Sequence, residues 1–152
     1  MVCAGAKSIL DLGLTQEYLE THGVPVIGFQ TEVWPAFYTR YSKYKVDYSL
    51  DTPAAVAKAL HSKWQLGLKG GALICVPVPA QYEQNADDIE QVIVSALDEM
   101  QSKGITGKET TPFLLAKIAE KTEGESLDTN IKLVLNNASV AARIAVDYSE
   151  CL

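Results

Sequence analysis

The sequence predicts an α/β protein, a layered α/β/α fold with a mostly buried sheet flanked by helices and incomplete at its N-terminus. Residues 72–76 are apolar at every position between Gly71 and Pro77, and residues 24–29 form a second candidate strand. Uninterrupted apolar runs suit strands that helices cover on both faces. Residues 89–100 carry apolar side chains at helical spacing. Strands separated by helices are typical of a layered α/β fold.

The sequence starts with a candidate strand. Residues 1–5 read as the end of a buried strand with no element before it, so we expect the sequence to open within a larger fold. Ser8 and Asp11 match the pattern that closes the first turn of a helix. Thr15 begins a second predicted helical stretch, which ends at His22-Gly23 because glycine suits the left-handed position after a helix.

The middle of the sequence predicts strand, loop, helix and strand in turn. Residues 30–50 lack a clean period and predict a structured loop with room for one short strand. Asp51-Thr52-Pro53 starts a helix, because a capping oxygen precedes proline at the first helical position. Gly70-Gly71 is predicted to stop that helix before the strand at residues 72–76.

Three helices are predicted after that strand. The first carries the apolar stripe of residues 89–100 and ends at Lys103-Gly104. Thr111-Pro112 opens the second, which closes near Gly124. Ser126 is predicted to cap the last one, which continues through residue 142.

Size and charge limit the classes of function. A chain of 152 residues fits one domain, and a formal charge of -6 gives no basic surface for nucleic acid or an anionic membrane. No apolar run approaches the roughly 20 residues needed to span a bilayer. We therefore expect a soluble protein with a small-molecule or protein partner. The basic residues between Arg40 and Lys45 predict an exposed strand or loop.

The three cysteines are widely spaced and odd in number, so they predict neither a metal cluster nor a disulfide framework. Cys3 and Cys75 lie in apolar runs and are expected to be small buried side chains. Cys151 is expected to be an exposed thiol near the chain end. A reducing compartment follows, and we expect a cytoplasmic protein unless an upstream segment directs it to an organelle.

Lys7 is the first candidate for chemistry. It follows Gly5 at the carboxyl end of a predicted strand and precedes a helix start, where open α/β sheets place ligand crevices. A helix dipole and partial desolvation both favour the neutral amine there. A neutral amine can form a Schiff base with a sugar carbonyl. A solvated or phosphate-binding lysine at a turn is the alternative that these residues leave open.

Other polar residues give weaker indications. Residues 76–80 predict a rigid extended loop, which could line a pocket, because each proline removes a donor and restricts its neighbour. Asn130, Asn136 and Asn137 lie on one apolar helix, where their amides are expected to bond inward, to a ligand or to neighbouring backbone. His22 and His61 lack the spacing of a metal site or a triad and are expected to be surface or structural residues.

A family resemblance begins around Lys7. The segment Val2-Cys3-Ala4-Gly5-Ala6-Lys7-Ser8-Ile9-Leu10-Asp11 resembles the active-lysine segment of pseudouridine-5'-phosphate glycosidases, also called the indigoidine synthase A family. Further similar blocks follow in family order along nearly the whole chain. They include Tyr18-Leu19-Glu20-Thr21-His22-Gly23, Val76-Pro77-Val78-Pro79, Gly107-Lys108-Glu109-Thr110-Thr111-Pro112 and Asn136-Asn137-Ala138.

The resemblance implies that Lys7 is catalytic and that Asn130 binds the nucleobase. The amine would attack the anomeric carbon of pseudouridine 5'-phosphate and open the ribose to a Schiff base, while the uracil carbon leaves and is protonated. Water would then release ribose 5-phosphate. The implied activity is reversible cleavage of a C-glycosidic bond.

The resemblance also implies groups outside this sequence. Family members are about twice as long, and the part that precedes Met1 supplies a manganese-binding aspartate, an acidic proton donor and a phosphate-binding lysine. Residues 1–152 are thus expected to be the C-terminal portion of one domain, with no metal ligand of their own. The family typically forms homotrimers. Without those groups the rate should fall by several powers of ten, since each contributes about 10²-fold or more.

Three functions therefore remain open at this stage. The chain is an enzyme or its nucleophile-bearing piece, or it is an inactive remnant that binds a partner or forms an oligomer. A different Schiff-base lyase or aldolase acting on a sugar phosphate would use the same lysine with another leaving group.

Overall fold

The computed structural model describes residues 1–6 and 10–152. Four strands form one sheet, in which every pair of neighbours is parallel. Their order across the sheet is β1-β4-β2-β3. The strands are β1 (Val2–Cys3), β2 (Val26–Phe29), β3 (Tyr48–Leu50) and β4 (Leu73–Cys75). The predicted buried parallel sheet is confirmed, and β3 is the short strand expected between residues 30 and 50.

The described residues form five α-helices and two short 3₁₀ helices. The α-helices are α1 (Leu12–Thr21), α2 (Pro53–Gln65), α3 (Ala86–Ser102), α4 (Thr110–Lys121) and α5 (Glu125–Ser149). The 3₁₀ helices are Ala80–Tyr82 and Gly107–Glu109. Within the described ranges, no helix is both long enough and apolar enough to pass through a membrane.

Helices cover both faces of the sheet. On one face, Ile27 of β2 belongs to a core cluster with Val56 of α2 and Ile144 of α5. On the other face, Val26 of β2 packs in a cluster with Leu19 of α1. Adjacent residues of a strand point to opposite faces, so these two clusters lie on opposite sides of the sheet. The predicted α/β/α layering is confirmed.

Helices α3 and α4 build a further core beside the sheet. Ile89, Ile93 and Ala96 of α3 pack with Leu114 and Ile118 of α4. Asn85 caps α3 by accepting from the backbone N–H groups of its first turn, and the helix ends at Ser102 before Gly104. The predicted helix at residues 89–100 and its end are therefore confirmed.

Helix α1 differs from its prediction. Asp11 is the N-cap, since its carboxylate accepts from the Leu14 N–H at 2.9 Å. Thr15 lies inside the helix, and its hydroxyl donates to the Asp11 carbonyl at 2.7 Å. The predicted start of this helix at Thr15 is wrong, because Asp11 already caps it four residues earlier. Ser8 lies outside the described residues.

Helix α2 starts as predicted but ends earlier. Thr52 caps it by accepting from the Ala55 N–H at 3.2 Å, and Pro53 opens its first turn. The predicted stop at Gly70-Gly71 is wrong, because Gly67 already takes a left-handed φ of 73°. The Leu68 N–H then bonds back to the Lys63 carbonyl, which is the hydrogen bond of a glycine-ended helix.

Ser126 does not cap the last helix. Gly124, with φ of 93°, occupies the cap position of α5, and Ser126 lies in its first turn with 1% exposure. The Thr122 hydroxyl donates to the Ser126 hydroxyl at 2.9 Å and accepts from the Ser126 N–H at 3.2 Å. The serine therefore joins the end of α4 to the start of α5.

Candidate active site

The carboxyl ends of all four strands meet at one edge of the sheet because the strands are parallel. Open α/β sheets bind ligands outside this edge. The segments that leave the strands there begin at Ala4 after β1, Gln30 after β2, Asp51 after β3 and Val76 after β4. Candidate functional residues are therefore expected along these segments.

The segment after β1 is held closely against residues 35–37. Ala4 is buried, and its carbonyl accepts from the Phe37 N–H at 3.0 Å. Gly5 has φ of 90°, and a Cβ atom there would overlap the carbonyl oxygen of Pro35. Only glycine fits this backbone and this approach. The exit of β1 is thus fixed by packing up to Gly5.

Lys7, the predicted catalytic residue, lies outside the described residues, as do Ser8 and Ile9. Ala6 is the last described residue before Lys7, and the described chain resumes at Leu10. Leu10 and Asp11 line an open cavity of about 660 Å³ that extends to Tyr38 and to Ile89 of α3. A cavity therefore borders Leu10 and Asp11, where the described chain resumes after the predicted nucleophile.

Arg40 anchors the segment that follows β4. Its guanidinium Nη1 donates to the Val78 carbonyl at 2.7 Å, and its backbone N–H donates to Glu83 Oε1 at 2.8 Å. The prediction that the basic residues from Arg40 onward form an exposed loop is wrong for Arg40, which is half-buried. The Val78 carbonyl is 38 positions from Arg40 in the chain, so no local sequence pattern predicts this hydrogen bond.

A small cavity of about 200 Å³ lies between the carboxyl ends of β2 and β4 and helix α5. Polar side chains from three parts of the chain line it. They are Gln30, Arg40, Asn136 and Arg143. Pro77 and Pro79 line it as well, so the predicted proline-rich loop does border a pocket. Amide and guanidinium groups here could hydrogen-bond an anionic or hydroxylated ligand.

Helix α5 places Asn130 near the carboxyl edge of the sheet. Ile144 belongs to the cluster against which Val2 packs, whereas Leu133 packs with Ala4. Moving toward the carboxyl end of β1 therefore means moving toward the start of α5. Asn130 lies about one turn before Leu133 and thus near the carboxyl edge, where it is half-buried.

A buried hydroxyl next to Asn130 fixes the start of α5. Thr129 is 2% exposed, and its hydroxyl donates to the Tyr82 carbonyl at 3.0 Å and accepts from Gln84 Nε2 at 2.8 Å. Sequence reasoning missed this contact because Tyr82 and Gln84 are each more than forty positions from Thr129 in the chain. It ties Asn130 to the loop that leaves β4.

The other two asparagines of α5 differ in their partners. Asn136 Nδ2 donates to the Pro77 carbonyl at 3.4 Å, which is the neighbouring-backbone bond that the sequence left open. Asn137 Oδ1 is buried and accepts no hydrogen bond from the part of the chain that the structure describes. A buried acceptor normally has a donor.

His22 and His61 have local roles, as predicted. His22 stacks on Tyr18, with ring centroids 4.2 Å apart, and its Nδ1 lies 2.8 Å from the Tyr18 carbonyl oxygen. His61 packs against Tyr148 with the ring centroids 6.1 Å apart. His22 therefore packs on α1, and His61 lies at the contact between α2 and α5.

The thiols of Cys3 on β1 and Cys75 on β4 both have shifted pKa values. A hydrogen bond from the Cys75 thiol lowers the pKa of Cys3 to about 7, against the opposing effect of burial. The same bond, with burial, raises the pKa of Cys75 well above its usual range. The two cysteines are partners across β1 and β4. Cys3 is half-buried instead of fully buried, and Cys151 is also half-buried, so the predictions for both were wrong.

A metal site needs several ligand side chains close together. Among residues 1–6 and 10–152, no three or more His, Cys, Asp or Glu side chains cluster closely enough to hold a metal ion. These residues therefore offer no manganese site, and the family resemblance places the manganese-binding aspartate in the part that precedes Met1.

Comparisons with known proteins identify one family. The family model described as "Indigoidine synthase A like protein" matches residues 1–147. A "Pseudouridine-5'-phosphate glycosidase" of Hahella chejuensis is 60% identical over 148 residues, which are 97% of this chain and 49% of that protein. The Escherichia coli K12 protein of the same name is 52% identical over 97% of this chain and 47% of its own length. The chain thus spans about half the length of these relatives.

Two solved structures share the fold. The prealnumycin C-glycosynthase AlnA, solved in complex with ribulose 5-phosphate, has a TM-score of 0.89 and 34% identity over 99% of this chain and 49% of its own. An indigoidine synthase A-like protein from Thermotoga maritima has a TM-score of 0.84 and 37% identity. That match covers 94% of this chain and 47% of the Thermotoga protein.

Proposed function

We propose a function from one premise: this chain belongs to the indigoidine synthase A-like family. We infer that it carries the nucleophile of an enzyme that reversibly cleaves the C-glycosidic bond of pseudouridine 5'-phosphate into uracil and ribose 5-phosphate. Relatives with this activity in their names match over nearly the whole chain.

The position of the β1 exit carries this proposal. Ala4 and Gly5 leave the sheet at its carboxyl edge, and the predicted nucleophile Lys7 follows two residues later. Asn130, on α5, lies near the same edge. A lysine at this edge would be partly desolvated, which favours the neutral amine that attacks carbonyl carbon.

The proposed chemistry uses that amine as a covalent catalyst. The Lys7 nitrogen attacks the anomeric carbon as the bond from that carbon to the ring oxygen breaks, and the oxygen takes up a proton. The nitrogen of this ring-opened adduct then forms an iminium with its lone pair while the bond from the anomeric carbon to uracil breaks. The electron pair goes to the uracil carbon, which takes up a proton, and water then releases ribose 5-phosphate from the lysine. An iminium divides a difficult carbon–carbon cleavage into two lower barriers. Asn130 would hydrogen-bond the uracil amide groups.

The solved structure of AlnA contains ribulose 5-phosphate, which supports a pentose phosphate as the ligand class. Manganese, an acidic proton donor and a phosphate contact would come from residues other than those described. A cytoplasmic location and a homotrimer are further proposals, drawn from the unpaired thiols and from the family.

Borohydride reduction tests the nucleophile. We expect the 152-residue chain, treated with ribose 5-phosphate and borohydride, to gain a phosphopentityl group on Lys7, located by peptide mass spectrometry. Lys7→Ala should lose the group, and Lys58→Ala, at an exposed position of α2, should keep it. An unmodified chain, or equal labelling of Lys7→Ala, would contradict the assignment. Competition between pseudouridine 5'-phosphate and other sugar phosphates separates the glycosidase from another Schiff-base lyase.

A second candidate function, an inactive remnant that binds a partner or forms an oligomer, is favoured by one face of α5. In the first half of this helix, four large apolar side chains are about half exposed and lie away from its buried residues. They are Leu127, Ile131, Val134 and Leu135, exposed by 49–60%. A helix that is apolar on two opposite faces is normally covered on both.

Turnover distinguishes the two candidates. The remnant should associate with itself or with another chain and release no uracil from pseudouridine 5'-phosphate. Uracil release by the purified 152-residue chain, abolished in Lys7→Ala, would exclude it. A monomer without activity would contradict the oligomer-forming alternative.

A further inference from the structure

Two of the three cysteines are direct neighbours in the folded chain. Cys3 of β1 and Cys75 of β4 are register partners in a parallel pair, so their side chains project from the same face. Neighbouring strands are about 4.8 Å apart, within the roughly 4.4–6.8 Å Cα separation that a disulfide needs. Both cysteines are free thiols in this structure.

The environments of the two thiols differ in a way that assigns them different tasks. Cys75 has no exposed surface and packs with Val26 and Trp34. Cys3 is half-buried on β1, the edge strand of the described sheet. The hydrogen bond from Cys75 lowers the pKa of Cys3 to about 7. The thiolate is the nucleophilic form of cysteine, so Cys3 is the attacking sulfur and Cys75 the resolving thiol.

We propose that Cys3 and Cys75 form a dithiol site that reacts with hydroperoxides and closes to a disulfide between β1 and β4. The Cys3 sulfur attacks one peroxide oxygen, the O–O bond breaks, and sulfenic acid and one water form. The Cys75 thiol then attacks the sulfenic sulfur, the S–S bond forms and a second water leaves. Two thiols lose two electrons, and one hydrogen peroxide is reduced to two waters.

The disulfide would lock the end of β1 that leads to Gly5. The Ile74 N–H donates to the Met1 carbonyl and the Val76 N–H to the Cys3 carbonyl, each at 2.8 Å. These two bonds flank the register pair on both sides. A covalent link between the strands prevents them from separating, so these amides should exchange with deuterium more slowly in the oxidised chain. The site does not depend on the proposed glycosidase activity.

Mass spectrometry of the 152-residue chain after hydrogen peroxide treatment tests the proposal. We expect the chain to lose two hydrogens and to give a non-reduced peptide that joins Cys3 to Cys75. Cys151→Ser should behave the same way. Cys75→Ala should stop at sulfenic acid on Cys3, trapped with dimedone. A disulfide that involves Cys151, or no disulfide at a peroxide dose that fully oxidises glutathione, would overturn the proposal.

A second measurement covers the case in which Cys75→Ala does not fold. Phenylarsine oxide binds two adjacent thiols with loss of one water, so the unmodified chain should bind one equivalent and release it to a small dithiol. Cys3→Ser should bind none, while Cys151→Ser should bind one. Equal binding by Cys3→Ser and the unmodified chain would show that the two thiols do not act as a pair.

Discussion

Gly5 connects the end of β1 to the segment of the predicted nucleophile, and its lack of a side chain is structural. Its φ of 90° is rare for other residues, and a Cβ atom would overlap the Pro35 carbonyl oxygen. The sequence contains ten glycines, and the neighbours in the chain do not mark this one as essential. The close approach of Pro35, thirty positions away, decides it.

Substitution of Gly5 should therefore cost more than substitution of a glycine with the same backbone and free space. Gly23 has a φ of 63° and no atom near the position of an added Cβ. Gly23→Ala should therefore lower the free energy of unfolding by about 1–2 kcal/mol, from the left-handed backbone alone. Gly5→Ala should lower the free energy of unfolding by clearly more, as measured by urea denaturation, because the overlap of its Cβ with the Pro35 carbonyl oxygen adds to that strain. Gly71→Ala, also in open space, should change stability by less than about 0.5 kcal/mol. Equal losses for Gly5→Ala and Gly23→Ala would show that the loop of Pro35 yields.

Cys3 should be alkylated at lower pH than an ordinary thiol. The Cys75 thiol and the Gly5 N–H both donate to its sulfur and stabilise the thiolate, which lowers its pKa to about 7. In a Cys151→Ser background, the rate of iodoacetamide labelling should rise with pH and reach half its maximum near that value. Cys75→Ala removes the main donor, so its midpoint should move upward. An unchanged midpoint in Cys75→Ala would contradict this cause.

At the scale of elements, α5 explains how one helix serves two purposes. Leu133, Val140 and Ile144 face the core, whereas Ile131 and Leu135 lie on the opposite side and are about half exposed. The buried face sets the position of the helix on β1 and thus the position of Asn130.

Matched isoleucines measure this difference. Ile144→Ala removes a side chain with 5% exposure and should cost about 2–5 kcal/mol of unfolding free energy, because it leaves a cavity. Ile131→Ala, on the same helix with 49% exposure, should cost less than about 0.5 kcal/mol in a monomer. Denaturation at two protein concentrations separates the cases. A large, concentration-dependent loss for Ile131→Ala would show that the second face is covered in an assembly.

Local signals decided which elements formed and where most of them began. Thr52-Pro53 starts α2 and Gly104 follows the end of α3, as predicted, because caps and glycine turns act over a few residues. The errors fell where two local signals competed. Gly67 ends α2 before Gly70, and Asp11 caps α1 before Thr15.

At the scale of the whole molecule, the exposed apolar face of α5 should govern association. The double substitution Ile131→Lys and Leu135→Lys places two charges on this exposed apolar face, which disfavours its burial. We expect the double variant to be more monomeric than the unmodified chain in size-exclusion chromatography with light scattering. Lys58→Glu on α2 is the charge-change control and should leave the mass unchanged. An equal mass for the double variant and the unmodified chain would show that this face is not an interface.

The sequence by itself determined the fold class, the buried parallel strands and most helix positions, because apolar periodicity and capping act between residues a few positions apart. It also determined the family, since similar blocks occur in the same order along the chain. Only the tertiary structure decided that Cys3 faces Cys75, that Arg40 holds the loop after β4, and that α5 runs back over β1 to bring Asn130 to the carboxyl edge. Those contacts depend on the strand order β1-β4-β2-β3. Strand order brings together residues that are far apart in the chain, so no short-range pattern records it.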